Sequence, residues 1–171
     1  KREYNVECIS GQPNVNYKET INTKTEFDWL HKKQTGGSGQ YAKVVGYMEP
    51  MTEEEIKEHG KPNEFKNKCI GTNIPPEYYP SCEKGMNDAM IEGALVGCEV
   101  EGVRVILQDG ASHAVDSSDM AFCICMAHAN RDTMKRASPS VLEPIMTVEI
   151  DIPAEFHGPV MASLSRRMGM I

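Results

Sequence analysis

The sequence lacks any long hydrophobic run, and this absence excludes a transmembrane helix within the chain. The longest wholly apolar stretch of the 171 residues extends only from Met120 to Ala127, whereas a helix needs about 20 apolar residues to cross a bilayer. Hydrophobic residues still make up 40% of the chain, which is a globular composition with enough material for a core. The chain begins at Lys1 with neither an initiator methionine nor a signal segment, so we expect a fragment excised from a longer protein.

The chain also lacks Cys-x-x-Cys pairs, and its five histidines do not stand at zinc-finger spacings. Its six cysteines are too few for a disulfide scaffold in a chain of this length. We therefore expect no metal site, and free thiols that pack as small hydrophobic residues in a reducing compartment. Cys123 and Cys125 lie close together in a helical pattern, and their spacing should direct them to different faces of a helix.

A third absence is the Gly-Lys-Ser/Thr ending of a phosphate-binding loop, although glycine is frequent from Gly36 to Gly39. This segment lies between two β-rich stretches, Phe27–Lys33 and Tyr41–Met48. The pattern predicts a long hairpin with a glycine-rich tip. We do not expect nucleotide binding there, because such loops follow a buried strand and open a helix.

The charges of this hairpin differ from those of the rest of the chain. The net charge of the whole chain is −7, yet no acidic residue occurs between Trp29 and Met48. That stretch contains Lys32, Lys33 and Lys43. A basic hairpin on an acidic body favours contact with a phosphate backbone, while a flexible exposed turn would explain the glycines equally well.

Proline, glycine and helix-capping residues mark two long helices. Pro75-Pro76 should open the first helix, whose apolar residues recur at helical intervals, and Gly93 should end it. Asp116 or Ser117 should cap the second helix, which is predicted to run to about Arg136.

Alternating hydrophobicity and turn residues predict the remaining elements. The predicted strands are Tyr4–Ile9, Val15–Lys18, Phe65–Gly71, Val103–Gln108 and Ile145–Ile152, with a last helix at Glu155–Met168, an exposed excursion with one helical turn at Glu53–Pro62, and a linker at Ala137–Ser140. The final strand and helix would leave too much apolar surface uncovered to fold alone. We therefore expect this second unit to be truncated.

One residue outside the hairpin is a candidate for chemistry. His113 lies in a loop beside Asp109 and Asp116, so it could serve as a general base or a metal ligand in a small enzyme. However, Asp116 can cap the following helix and Asp119 suits its positive N-terminus, and no Ser or Cys nucleophile stands at a recognisable spacing. A polar surface residue is the simpler interpretation, and an enzyme that uses His113 with Asp109 or Asp116 stays an alternative.

An ordered set of segments carries a resemblance to a known family. The segments are Gln12–Ile21, His31–Tyr41, Ile74–Pro80 and Asp109–Ser118, followed by Leu142–Glu149 and Ser165–Gly169. The first four resemble the fourth domain of bacterial-type translation elongation factor G, and the last two resemble the start of its fifth domain. The resemblance covers nearly the whole chain and is weakest at Glu53–Pro62. It implies a domain at 1–139 and the truncated start of another at 140–171.

The fold implied by this resemblance is α+β. It consists of a mixed β-sheet backed by two helices, of ribosomal-protein-like topology with a βαβ crossover. The first strand and helix of a ferredoxin-like domain should follow.

The resemblance also implies a function. The family is a GTPase that moves tRNA and mRNA through the ribosome, and its fourth domain is the arm whose tip enters the decoding region of the small subunit. His113 matches the family's functionally sensitive tip histidine, which implies contact with RNA without proton transfer. Ser38 stands where bacterial members often carry Arg. The residues that match the tip are Lys32, Lys33, Gln34, Gly36, Gly37, Ser38, Gly39, Gln40, Ser112 and His113.

The same resemblance implies that this fragment has no catalytic residue, no metal and no cofactor of its own. GTP and Mg would bind an upstream domain of the full-length parent, so we expect the fragment neither to bind nor to hydrolyse GTP. Its partners would be small-subunit rRNA and the tRNA–mRNA complex, with no membrane partner, and the fragment itself would be a monomer. A ribosome-recycling or ribosome-protection paralogue of the same family is an alternative.

The local sequence also resembles one branch of the family. His31-Lys32-Lys33 and Leu107–Ala111 are most similar to the mitochondrial branch. The resemblance therefore favours the mitochondrial matrix over the bacterial cytoplasm.

Overall fold

The computed structural model describes residues 11, 14–34 and 39–170. Short 3₁₀ turns at Pro76–Tyr78 and Ala154–Phe156 precede two of the helices. The elements follow one another as β1 (Lys18–Ile21), β2 (Thr25–Lys33), β3 (Gln40–Pro50), α1 (Glu53–His59), β4 (Asn63–Asn67), α2 (Tyr79–Met90), β5 (Val103–Ala111), α3 (Asp119–Arg136), β6 (Pro139–Leu142) and α4 (His157–Arg166). The predicted strand Tyr4–Ile9 lies outside the described residues.

Four strands form a mixed sheet in the order β2-β3-β5-β4. β2 pairs antiparallel with β3, and β3 pairs antiparallel with β5. β4 and β5 are parallel, and α2 lies between them in the chain. This arrangement confirms the predicted hairpin and βαβ crossover, because parallel neighbours need a crossover connection.

Two helices cover one face of this sheet. Alternate residues of β3, namely Ala42, Val44 and Met48, are buried and pack in a core with Phe122 and Met126 of α3. α3 lies against β2 and β3, and α2 packs beside α3. The predicted mixed sheet backed by two helices is therefore confirmed. No helix in the described ranges is both long and apolar enough to traverse a bilayer.

Cys82 and Cys125 are buried in this core, as predicted, whereas Cys69, Cys98 and Cys123 are half-buried. The five cysteines in the described part of the chain are free. Cys125 is buried whereas Cys123 is half-buried, which confirms that the two point to different faces of α3. Burial raises the pKa of Cys82 and of Cys125 to about 12, so both thiols stay protonated at neutral pH.

Helix α1 replaces the predicted single turn in the Glu53–Pro62 excursion. Thr52 and Glu55 form a capping box: the Thr52 Oγ1 accepts from the Glu55 N–H (3.3 Å), and Glu55 Oε2 accepts from the Thr52 N–H (2.9 Å). Arg104 of β5 then binds Glu55 (2.8 Å), Glu49 (3.3 Å) and Glu64 (2.5 Å). The Thr52 N–H and the Arg104 guanidinium lower the pKa of Glu55 to about 2, and the ion pairs fix α1 to the sheet.

A second, two-stranded sheet pairs β1 with β6. Next to it the carboxylate of Glu19, which is 1% exposed, accepts the backbone N–H groups of Leu95 (2.9 Å), Val96 (2.9 Å) and Cys98 (3.1 Å). Burial opposes ionisation of Glu19, but these donors outweigh it and lower its pKa. The buried carboxylate therefore joins β1 to the connection between α2 and β5.

Two predicted strand boundaries were wrong. The strand predicted at Phe65–Gly71 is β4 at Asn63–Asn67, because the Cys69 N–H binds the Asn67 side chain (2.9 Å) and turns the chain away. β5 continues to Ala111 instead of ending at Gln108. Pairing with β3 shifts register at this point, and a β-bulge of this kind lets a strand continue where local pattern predicts a loop.

The start of α3 and the segment before β1 also differ from the prediction. Ser118, and neither Asp116 nor Ser117, caps α3 by accepting the Ala121 N–H (3.2 Å). Only Lys18 of the predicted strand Val15–Lys18 belongs to a strand.

The C-terminal predictions were wrong in three places. The predicted linker contains the start of β6, which binds β1. The predicted strand Ile145–Ile152 has no regular structure, and Ile145 and Met146 are exposed, because the described residues offer this segment no strand to pair with. The last helix is α4, which is shorter than the predicted Glu155–Met168 and follows a 3₁₀ turn.

We expect the substitution Gly110→Ala to destabilise the chain by about 1–3 kcal/mol, because a Cβ has no space there. It would lie 2.2 Å from the Lys43 carbonyl oxygen and 2.6 Å from Ile74 Cδ1. Urea unfolding followed by circular dichroism measures the loss. Gly158→Ala in α4 is the matched control, since its Cβ meets nothing within 4 Å; equal stability of the two variants would contradict this prediction.

We expect Glu19→Gln to cost about 1–3 kcal/mol at pH 7, because an amide leaves part of the cluster of N–H donors without an acceptor. The pKa of Glu19 is lower in the folded chain than in the unfolded chain. Its contribution to the free energy of unfolding is therefore fully present above the unfolded pKa of about 4.3, and it is lost as the pH falls through the folded pKa. The stability difference from the unsubstituted chain should therefore shrink below pH 4.3. The exposed Glu83→Gln is the control, and a difference independent of pH would refute the assignment.

Candidate nucleic-acid interface

The sheet brings the hairpin end and the loop after β5 to one place. β3 begins at Gln40 and β5 ends at Ala111, and these antiparallel strands pair as far as Lys43 and Ala111. The loop 112–118 therefore emerges beside the hairpin. We call the described residues of this end, 31–34, 39–41 and 112–117, the tip surface.

Hydrogen bonds join the two parts of the tip surface. The Tyr41 N–H donates to the Asp116 carbonyl (2.8 Å), and the Ser117 hydroxyl donates to the Tyr41 carbonyl (2.7 Å). The Gly39 N–H donates to Asp116 Oδ1 (3.1 Å). These bonds cross from the hairpin to the loop and hold the two together.

His113 is exposed at this end, with 53% of its side-chain surface accessible. Its Nδ1 accepts the backbone N–H groups of Val115 (3.3 Å) and Asp116 (3.2 Å). Because two backbone N–H groups point at Nδ1, this nitrogen acts as an acceptor, and the ring N–H that is left for another partner is on Nε2. The ring also lies 6.0 Å from the Tyr41 ring, at a tilt of 54°. The loop thus orients an exposed imidazole that can donate from Nε2 and stack.

The contacts of His113 bear on the alternative of a small enzyme. In a His–Asp pair for general base catalysis, Nδ1–H donates to the carboxylate. Nδ1 of His113 does lie 3.4 Å from Asp116 Oδ2, but it accepts the backbone N–H groups of Val115 and Asp116. Asp109 is bound to Asn73 and to the Gly110 N–H, and both bonds lower the pKa of Asp109. Among the described residues there is also no group of three or more His, Cys, Asp or Glu that could hold a metal.

The basic charge of the tip surface comes from Lys32 and Lys33, the two lysines predicted there. Lys43 forms an ion pair with Asp28 (3.0 Å), the residue just before the acid-free stretch, so its charge is largely compensated. Lys32 and Lys33 are exposed. They lie opposite Tyr41 and Gln40 in the hairpin, and neighbouring residues of a strand point to opposite faces. The two ammonium groups therefore flank the tip on both faces.

The structure places the other predicted tip residues as follows. Gln34 is exposed, whereas Gly39, Gln40 and Ser112 are half-buried. The Gln40 side chain accepts from His31 Nε2 (3.0 Å). Gly36, Gly37 and Ser38 lie outside the described residues.

Sequence reasoning missed three residues that build this surface. Tyr41, Asp116 and Ser117 join the hairpin to the loop, and Ser117 Oγ also accepts the His113 N–H (2.8 Å). The spacing of His113 and Ser117 could have indicated this contact, because a serine four residues after another residue can close a turn by accepting that residue's N–H. No local pattern could show the contacts with Tyr41.

Comparisons with known proteins identify the relatives of this chain. The family model described as "Elongation factor G, domain IV" matches residues 13–138, and the one described as "Elongation factor G C-terminus" matches residues 140–171. The chain is 47% identical over its whole length to "Elongation factor G 1" of Syntrophus aciditrophicus (strain SB) and 46% identical to "Elongation factor G 1" of Desulfotalea psychrophila (strain LSv54 / DSM 12343). It spans 24% of each of these curated relatives.

A solved structure shares the fold. A crystal structure of a protein from Thermus thermophilus superposes with a TM-score of 0.77 at 34% identity. The match covers 91% of this chain and 22% of that one.

We expect Asp116→Ala to release the hairpin end, because Gly39 loses its side-chain acceptor. Hydrogen exchange of the Gly39 amide, measured by NMR, should accelerate by about tenfold, as for a lost bond of about 1.4 kcal/mol. The Tyr41 amide should change less, since it binds the backbone carbonyl of residue 116. Asp132→Ala, which removes an ion pair with Arg136 on α3, is the control; unchanged exchange at Gly39 would count against the tether.

Proposed function

The chain belongs to the elongation factor G domain IV family, and on this premise we propose that it is the RNA-contacting arm of a translational GTPase. The arm would enter the decoding region of the small ribosomal subunit and help to move tRNA and mRNA. One observation carries the proposal most directly: the exposed His113 ring stands on a loop hydrogen-bonded to the hairpin, with Nδ1 bound to the backbone.

Such a site is suited to RNA. An oriented imidazole can stack on a base, and its Nε2–H can donate to a phosphate or a 2′-hydroxyl. Lys32 and Lys33 on the two faces of the hairpin add charge that favours phosphate. Because neither contact needs a nucleophile or a metal, the site acts by binding and positioning.

The chemistry of the whole protein lies elsewhere in this proposal. GTP and Mg would bind a domain outside this chain, since the sequence has no Gly-Lys-Ser/Thr phosphate-binding motif. We place the boundary between the two units at 139/140, where the two family matches meet. β6, which pairs with β1, extends across this boundary. The names of the bacterial relatives support translocation over recycling or ribosome protection.

We also propose the mitochondrial matrix as the location. This rests on the similarity of His31-Lys32-Lys33 and Leu107–Ala111 to the mitochondrial branch. Imaging of the tagged full-length protein in its own cells tests it, and a signal outside mitochondria would exclude it.

We expect His113→Ala in the full-length protein to slow translocation by about tenfold, equivalent to about 1.4 kcal/mol in the barrier. Ribosome-stimulated GTP hydrolysis should stay within about twofold, because the substitution removes a contact of the arm alone. Stopped-flow measurement of mRNA movement, together with phosphate release, gives both rates.

Two further substitutions separate the roles of the ring nitrogens. In His113→Asn, the side-chain oxygen can replace Nδ1 as the acceptor for the Val115 and Asp116 N–H groups. In His113→Gln, the side-chain N–H can replace the outward Nε2–H. If the outward N–H makes the contact, His113→Gln should translocate faster than His113→Asn. Wild-type rates in His113→Ala would refute the proposed role.

A further inference from the structure

The connection that follows β4 lies at the same end of the sheet as the tip surface. β4 and β5 are parallel, and Asn67 pairs with Leu107, so both strands run toward that end. The Lys68 N–H then donates to the Leu107 carbonyl (2.8 Å). The order β2-β3-β5-β4 therefore sets the hairpin, the β5–α3 loop and the loop Lys68–Asn73 in one row.

Side-chain hydrogen bonds fix this third loop to the second. Asn73 Nδ2–H donates to Asp109 Oδ1 (3.0 Å), and the Ser112 hydroxyl donates to the Asn73 carbonyl (3.0 Å). The next residue, Ile74, is 1% exposed in the core. The loop is therefore anchored at its end and held in register with Ser112 and its neighbour His113.

The loop presents a cation and an apolar side chain to solvent. Lys68 is exposed and forms no ion pair within 4.0 Å among the described residues, and Ile70 is 93% exposed. The sequence has no acidic residue from Phe65 to Pro76. A lone exposed isoleucine needs no explanation, but here it stands beside an uncompensated lysine in a loop tied to the tip surface.

We propose that Lys68–Asn73 is a third RNA-contacting loop of the tip surface. Lys68 contacts a phosphate, and Ile70 packs against a ribose or the face of a base. This inference rests on the proposed function, since it extends the same interface. A lysine without an acidic partner, at the tip of an otherwise acidic domain, favours phosphate as its partner.

The test compares two matched double substitutions in the full-length protein. The first pair, Lys68→Gln with Ile70→Ser, alters the third loop. The second pair, Lys61→Gln with Ile91→Ser, changes the same residue types at the opposite end of the domain, because Lys61 precedes β4 and Ile91 follows α2. Ile91 is also exposed. We expect the first pair to slow translocation by about fivefold and the second to leave it within about twofold, with melting temperatures unchanged in both.

His113→Ala measured in parallel separates the two proposals. If it slows translocation while Lys68→Gln with Ile70→Ser does not, the third loop has no role and the proposed function stands. If neither slows it, the proposed function fails and this inference fails with it. Equal slowing by the control pair also overturns the third loop, because the effect would not be local.

A second measurement does not depend on rates. A photo-crosslinking residue is placed at position 70 of the full-length protein, which is bound to ribosomes with a non-hydrolysable GTP analogue, and the same residue at position 91 is the control. We expect crosslinks to RNA from position 70 and none from position 91. A crosslink to ribosomal protein alone, or no crosslink from position 70, would overturn the proposal.

Discussion

The close pairing of β3 with β5 is the constraint on which the rest of the structure depends. These strands form the centre of the sheet, and one carries the hairpin while the other carries the crossover. Their ladder skips Gln108 and then resumes. A Cβ on Gly46 would lie 2.0 Å from the Ile106 carbonyl oxygen, and Gly110 faces the Lys43 carbonyl in the same way. Because Gly46 and Gly110 have no side chain, the two strands can stay close enough to remain paired on either side of the bulge.

The candidate interface follows from this pairing. Since β5 remains in the sheet up to Ala111, its loop reaches the hairpin, where Asp116 and Ser117 bind the Tyr41 backbone. The loop then orients the His113 ring through Nδ1. A contact that is ordered before binding loses less conformational freedom on binding. Tertiary hydrogen bonds, and not local sequence, therefore hold Gly39 and Tyr41 against the loop.

The contrast between confirmed and wrong predictions has a physical basis. Alternating hydrophobicity identified the β2–β3 hairpin, and helical periodicity identified α3, because both patterns are local. β6 and the bulge at Gln108 were missed, since their partners β1 and β3 lie far away in sequence. The ion pair of Lys43 with Asp28 was missed for a similar reason: the two residues become neighbours only when the hairpin pairs. The positions of His113 and the hairpin were predicted, but the bonds between them were not.

In the proposed function, displacement would pass to the tip surface from the opposite end of the domain, here called the base, where Glu19 and Arg104 lie. The two ends are held together differently. At the tip, backbone bonds and the carboxylates of Asp116 and Asp109 hold the loops. At the base, the buried Glu19 carboxylate binds three N–H groups, and Arg104 joins α1 to two strands. Buried charged groups with full sets of partners resist displacement, because breaking any partner leaves a charge poorly solvated. Carboxylates thus serve as structural acceptors at both ends, and the exposed groups of the tip surface include Lys32, Lys33 and the His113 imidazole, which suit the proposed contact with RNA.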